Sequence, residues 1–150
     1  RDDVWLWGGS LEDIHRTIEV GIRADHPQTR FSQMPAFGRD QMLGAAEISD
    51  LTEYVVALSG RPANAAAVRR AAPVYQTQCV ACHGPTGTGD QKQGAPNLTD
   101  QEWLYGSTRA DIHAQIWNGR GGVMPSWKAR FDPETLKALA VYIHANAGGQ

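Results

Sequence analysis

The run Cys79-Val80-Ala81-Cys82-His83 contains both cysteines of the chain and sets the tightest limit on what it can fold around. C-x-x-C-H is the spacing of a c-type haem attachment site. Two thiols three positions apart on a helical turn can each add to one of the two vinyl groups on a haem edge. The imidazole that follows then lies under the iron. Other readings compete. A disulfide between Cys79 and Cys82 leaves His83 unexplained. A thioredoxin-like pair calls for a strand–helix–strand context, which we do not find. A zinc site needs a second ligand pair, and no further cysteine supplies one. Haem c accounts for all three residues and is the expectation carried forward.

At 150 residues the chain has room for one domain or two small ones. Fourteen Lys and Arg against sixteen Asp and Glu leave a net charge of -2, which gives no reason to expect nucleic acid as a partner. A covalent haem would act as a staple for so small a core. No apolar run is long enough to span a bilayer. Arg1-Asp2-Asp3 is charged and Trp5-Leu6-Trp7 is too short for the apolar part of a signal peptide. Because haem c is attached outside the cytoplasm in most bacteria, the expectation is an export signal or anchor that was removed or lies upstream of Arg1.

The chain repeats itself. Trp5-Leu6-Trp7-Gly8 matches Trp103-Leu104-Tyr105-Gly106, and Asp13-Ile14-His15 matches Asp111-Ile112-His113. Ile18 and Gly21 match Ile116 and Gly119. After extra residues around Ala24 to Phe31, Met34-Pro35-Ala36-Phe37 matches Met124-Pro125-Ser126-Trp127. Leu51, Tyr54 and Gly60 then answer Leu139, Tyr142 and Gly148. The second copy has a front half, from about Ala65 through the C-x-x-C-H to Leu98, that the first copy lacks. The expected domains are therefore 1–61, the rear of a domain whose own C-x-x-C-H lies upstream, and 62–150, a complete one. Gly60-Arg61-Pro62-Ala63-Asn64 reads as the linker. The competing reading of 1–60 is a helical arm that never held haem.

The expected class is all-α. Ser10 with Asp13, and Thr108 with Asp111, resemble capping boxes before helices that end at Gly21 and Gly119. Ile48, Leu51, Val55 and Leu58 line one face of a third helix closing at Gly60. Asp132 caps another with Pro133 at its first position, burying Leu136, Leu139, Ala140 and Ile143. Gly84 to Gly94 is loop. Pro73 threatens to shorten or kink the helix before Cys79.

An electron-transfer haem needs two strong axial ligands. His83 is the first, and Met124 is the candidate for the second. Its thioether is soft and favours ferrous iron. The preceding Gly121-Gly122 and following Pro125 give it a mobile approach and an extended backbone. Met34 heads the same motif in the first copy and would ligate the iron of a haem attached upstream. Met42 reads as core filler. His15, His113 and His144 read as helix-surface or supporting residues, and His26 as a remote alternative to Met34.

With both ligand motifs placed, residues 65–150 resemble a class I cytochrome c domain. That resemblance implies a first helix with Tyr75, a crossing last helix with Leu139 and Tyr142, and a Pro96 carbonyl accepting the Nδ1 proton of His83. The whole chain resembles the dihaem subunit III of cbb3-type cytochrome c oxidases. Asp3-Val4-Trp5-Leu6-Trp7-Gly8-Gly9-Ser10, Met34-Pro35-Ala36-Phe37-Gly38, Ala95-Pro96-Asn97-Leu98-Thr99-Asp100 and Gly122-Val123-Met124-Pro125-Ser126-Trp127 carry the likeness.

The likeness implies tandem cytochrome c domains behind a membrane helix, on the periplasmic side of a bacterial inner membrane. It implies one haem c covalently held here and a second in the full-length protein. Single electrons would pass from a soluble donor cytochrome c through these haems to a monohaem cytochrome subunit. From there they reach the catalytic haem subunit, which reduces oxygen and pumps protons. By itself the chain would not be an enzyme. Rival expectations are a dihaem subunit of a periplasmic dehydrogenase and, further off, a haem peroxidase or gas sensor. Gln91-Lys92-Gln93 is a possible docking feature or ordinary surface.

Overall fold

The computed structural model describes residues 3–150; the charged Arg1 and Asp2, used above against a signal peptide, lie outside the described residues. Six helices follow in order: α1 (Leu11–Val20), α2 (Ala45–Leu58), α3 (Ala65–Gln78), α4 (Val80–His83), α5 (Arg109–Asn118) and α6 (Pro133–Asn146). Among the described residues there are no strands beyond three isolated bridges. The chain is all-α, as its periodicity requires.

Local chemistry sets the helix ends. Thr108 and Asp111 form a full capping box, the Thr108 hydroxyl accepting from the Asp111 amide and the Asp111 carboxylate accepting from the Thr108 amide. Ser10 caps α1 from one side only: its hydroxyl accepts from the Asp13 amide and donates to the Asp13 carboxylate. Asp132 accepts from the Thr135 amide with Pro133 at the first position of α6. Asn64 accepts from Ala66 and Ala67 at the start of α3. Pro73 does not stop α3, which runs on to Gln78.

The helices sort into two compact units that do not follow the sequence repeat. A central unit comprises Gln33–Asp90 and Ala95–Gly121, hence α2, α3, α4 and α5. A flanking unit comprises the described residues up to Ser32, Gln91–Gly94 and Gly122–Gln150, hence α1 and α6. The expected division at 61/62 is thus not where the compact bodies divide. Each unit joins the rear of one copy to part of the other.

In the central unit α2 packs on both α3 and α5. Its core is Phe37, Ile48, Leu51, Val55, Val56, Ala71, Tyr75, Ile112 and Ile116. Ile48, Val56 and Tyr75 are fully out of water, and each such side chain stabilises the fold by about 1.5–3 kcal/mol. Tyr54 stacks on Tyr75 with ring centroids 4.7 Å apart. The Arg70–Asp50 pair at 2.7 Å is exposed on the arginine side and adds little beside that burial. The connection 59–64 between α2 and α3 is short. A short connection makes antiparallel neighbours the low-entropy arrangement, which explains why α3 takes α2 as its partner.

The crossing helix was expected to be the last one, through Leu139 and Tyr142. The helix that crosses α3 is instead α2, through Tyr54. In the flanking unit α6 packs on α1 around Ile14, Ile18, Leu136 and Ala140, and Tyr142 is 62% exposed. Met42, expected in the core, is 53% exposed, because it lies within the turns and bends of 37–43 and not on a helical stripe.

Candidate haem site

The site is built at the end of α3. Cys79 is the last cap of that helix, its amide donating to Tyr75 O at 2.9 Å. The chain then turns once more as α4, with the His83 amide donating to Cys79 O at 2.9 Å. This single turn brings Cys79, Cys82 and His83 together. The Tyr75 hydroxyl donates to Gly84 O at 2.9 Å and ties the end of the turn back to the buried α3. Cys79 is half-buried and Cys82 exposed, and the two are not joined in a disulfide.

The loop after α4 folds back on His83. The Gly89 amide donates to His83 O at 2.9 Å, and the Leu98 amide to Gly87 O at 2.7 Å. Gly89 adopts a positive φ of 77°, and a Cβ there would lie 2.5 Å from Ala95 O, so only glycine permits this closure. The closure sets Pro96 O 3.0 Å from His83 Nδ1. Proline leaves its carbonyl as its one backbone hydrogen-bonding group, so Nδ1 carries the proton and donates. Nε2 then holds the lone pair, the form an iron ligand must have. Burial pushes the His83 pKa down and the Pro96 bond opposes it; the net shift is downward and keeps the imidazole neutral. Burial, and then the Cys82 thiol, push the Cys79 thiol up to about 11. Tyr75 is pushed up to about 12 by burial, with Cys79 and Tyr54 adding to it.

Met34 belongs to the unit that holds His83; Met124 does not. Met34, Cys79, Val80, Leu98 and Trp103 all pack against the central core. Met34 Sδ accepts a hydrogen bond from Gln115 Nε2 at 3.7 Å. Met124 is in the flanking unit, pairing through its backbone with Ile22 by two bonds of 2.9 Å and packing on the α1–α6 core. Chain order pairs His83 with Met124, but the methionine that shares a compact unit with His83 is Met34.

The two units make this exchange in the same way. In the flanking unit Gly21, with φ 71°, closes α1 against the carbonyl of Met124. In the central unit Gly119, with φ 57°, closes α5 against the carbonyl of Met34. At each place a Cβ would collide with the Met-Pro backbone of the other copy. The Gly38 and Arg39 amides also donate to Trp117 O, at 3.1 and 3.0 Å, fixing the Met34 segment to α5.

The remaining histidines take supporting places. His113 stacks on Trp117 with centroids 5.8 Å apart. His26 Nδ1 accepts from the Gln28 amide within its own loop and is in the flanking unit, not with Met34. His144 lies 3.4 Å from Gln150 O. Among the described residues no group of three or more His, Cys, Asp or Glu is placed to hold a metal ion by itself. Sequence reasoning missed Gln115 and the Tyr75–Gly84 tie. The signal for Gln115 was a polar residue on the stripe of Ile112, Ile116 and Gly119.

These residues fit haem c. Two thiols flank one helical turn, the neighbouring imidazole offers Nε2, and a thioether lies in the same compact unit. A family model described as cytochrome c oxidase, cbb3-type, subunit III matches residues 66–143. The chain belongs to that family. It is 51% identical to a cbb3-type cytochrome c oxidase subunit FixP of Bradyrhizobium sp. (strain ORS 278), over 99% of this chain and 52% of the relative. It is 45% identical to a cbb3-type cytochrome c oxidase subunit CcoP of Cereibacter sphaeroides, over 99% and 52%. The CcoP subunit of Azospirillum brasilense is 46% identical over 99% and 53%. The chain spans about half the length of the curated relatives it matches.

Proposed function

We propose that this chain is the electron-carrying part of a cbb3-type oxidase subunit. Cys79 and Cys82 would hold one haem c by thioether bonds, and His83 and Met34 would hold its iron. When bound, that haem supplies a single-electron couple. The protein's part would be to supply both ligands from residues already held in place, so that electron transfer would need little movement of His83 or Met34. His83 is held by Pro96, Met34 by the α5 contacts, and the Tyr75 tie keeps the attachment turn in register with α3.

Met124 is, by the same logic, the ligand of a second haem whose C-x-x-C-H precedes this chain in the full-length protein. The exposed face of α6 supports this. Tyr142 is 62% exposed, whereas its counterpart Tyr54 stacks on Tyr75 of α3. A preceding helix equivalent to α3 would cover Tyr142. Among the described residues no helix is long and apolar enough to cross a membrane; by the likeness to its family the chain would sit on the periplasmic side of the inner membrane. Electrons would come from a soluble cytochrome c and leave to the monohaem and catalytic subunits.

The observation that carries the reading is the His83 Nδ1–Pro96 contact beside Cys79 and Cys82, which are not joined in a disulfide. The test is a pyridine haemochrome assay on the full-length protein made in a haem c-competent periplasm. Two haems per chain are expected, falling to one in Cys79→Ser/Cys82→Ser. An unchanged haem content in that variant would overturn the proposal.

A further inference from the structure

Gln115 is part-buried on α5, with its amide turned toward the Met34 side chain. Its Nε2 lies 3.7 Å from Met34 Sδ and 3.3 Å from Arg120 O. A thioether sulfur and a backbone carbonyl can only accept. The amide must therefore present its two N–H groups to both, and its oxygen faces the other way. That oxygen, Oε1, is buried and has no hydrogen-bond partner among the described residues. An unsatisfied buried acceptor is unfavourable. The amide is kept in this orientation by what its nitrogen does.

The backbone of the Met34 segment is also held against α5. Gly119, one turn further along α5, lies against the Met34 carbonyl, and Trp117 O binds the Gly38 and Arg39 amides. Gln115 and Met34 are thus fixed to one rigid element, which is what precise positioning requires.

We propose that Gln115 is a positioning residue that tunes the central haem by donating a hydrogen bond to the axial sulfur. This rests on the reading of Met34 as ligand. A thioether sulfur has two lone pairs. With one directed at the iron, the other is free to accept from Gln115 Nε2. The bond fixes which lone pair faces the metal and draws electron density from the sulfur. A poorer electron donor stabilises ferric iron less than ferrous iron, so the bond raises the reduction potential.

The repeat supplies its own control. The counterpart of Gln115 on α1 is Thr17, whose hydroxyl donates to Asp13 O at 2.7 Å and is therefore already engaged within its helix. The flanking unit has no equivalent donor from that position. Gln115 makes the two haems of the full-length protein unequal, the central one having the higher potential for this reason.

The experiment is a spectroelectrochemical titration of the full-length haem-loaded protein, comparing wild type, Gln115→Leu and Met34→Ala. Gln115→Leu keeps the volume and removes the donor. The expected result is a retained methionine-to-iron charge-transfer band. One midpoint potential falls by an amount worth three- to tenfold in the electron-exchange equilibrium, up to about 59 mV for one electron. The other potential stays put. If Gln115→Leu assembles poorly, Gln115→Met, also without a donor, is read in the same way. Unchanged potentials with the band intact would overturn the inference while leaving Met34 as ligand. Equal shifts at both haems would overturn it as well. A Met34→Ala protein that keeps the full band would remove the ligand reading, and this inference with it.

Discussion

The central and flanking units are built from the same repeat, yet they differ in what their last helices touch. In the central unit α2 has a partner on two sides, α3 and α5, and its aromatic Tyr54 is stacked on Tyr75. In the flanking unit α6 has α1 alone, and the equivalent Tyr142 is exposed. Both units carry a Met-Pro segment locked against a helix-ending glycine. The ligand loop and the short helix are thus a self-sufficient local device. The crossing helix is not, because its burial depends on a front half that only one copy has in this chain.

Substitutions can break or sharpen that comparison. The largest effect is expected for Tyr75→Ala, which empties a fully buried aromatic site. It should cost about 3–5 kcal/mol in denaturant unfolding. Tyr142→Ala should cost no more than about 0.5 kcal/mol in the 150-residue chain, and clearly more in the full-length protein. The same small cost in both would break the proposed equivalence of α6 with α2.

Smaller effects should separate the ties from the packing. Tyr75→Phe keeps the ring and loses only the bond to Gly84 O, for about 1 kcal/mol. Beyond stability, it should loosen the attachment turn, seen as faster amide exchange from Cys82 to Gly84. Ser10→Ala removes the cap of α1 in the flanking unit and should also cost about 1 kcal/mol. It should leave exchange in the central unit unchanged.

The acid limb is the gentlest probe. Asp13 is held below its ordinary value by the Ser10 hydroxyl first and by Arg30 as well, against the opposing effect of burial. Asp132 is lowered by the Thr135 amide and hydroxyl. A carboxyl whose folded pKa is depressed contributes stability that is present above the unfolded value near 3.8. That stability is lost as pH falls through the folded value. Stability should therefore be flat down to about pH 5 and decline below about pH 4, checked by thermal melts across that range. In Ser10→Ala the decline should be shallower, since Asp13 loses the first cause of its shift.

Much of the local detail is legible in the sequence. Thr108, Asp132 and Pro133 mark helix starts by local chemistry, and Gly21 and Gly119 mark ends, because capping acts within a few residues. C-x-x-C-H names its chemistry for the same reason. The choice of partners was not legible. The stripe of Ile48, Leu51 and Val55 states that α2 has a buried face but carries no information on which helix covers it. Chain order suggested α6 for α3. The short connection 59–64 decided otherwise, since it favours α2 beside α3. Gln115 escaped because a single glutamine on an apolar stripe gains meaning only once Met34 is placed beside it.

The central claim is the exchange of methionines between the two copies. The most direct measurement uses the full-length protein with Cys79→Ser/Cys82→Ser, which keeps only the haem attached upstream. Its methionine-to-iron charge-transfer band should survive Met34→Ala and vanish in Met124→Ala. Loss of the band with Met34→Ala and its survival with Met124→Ala would contradict the exchange and restore pairing by chain order.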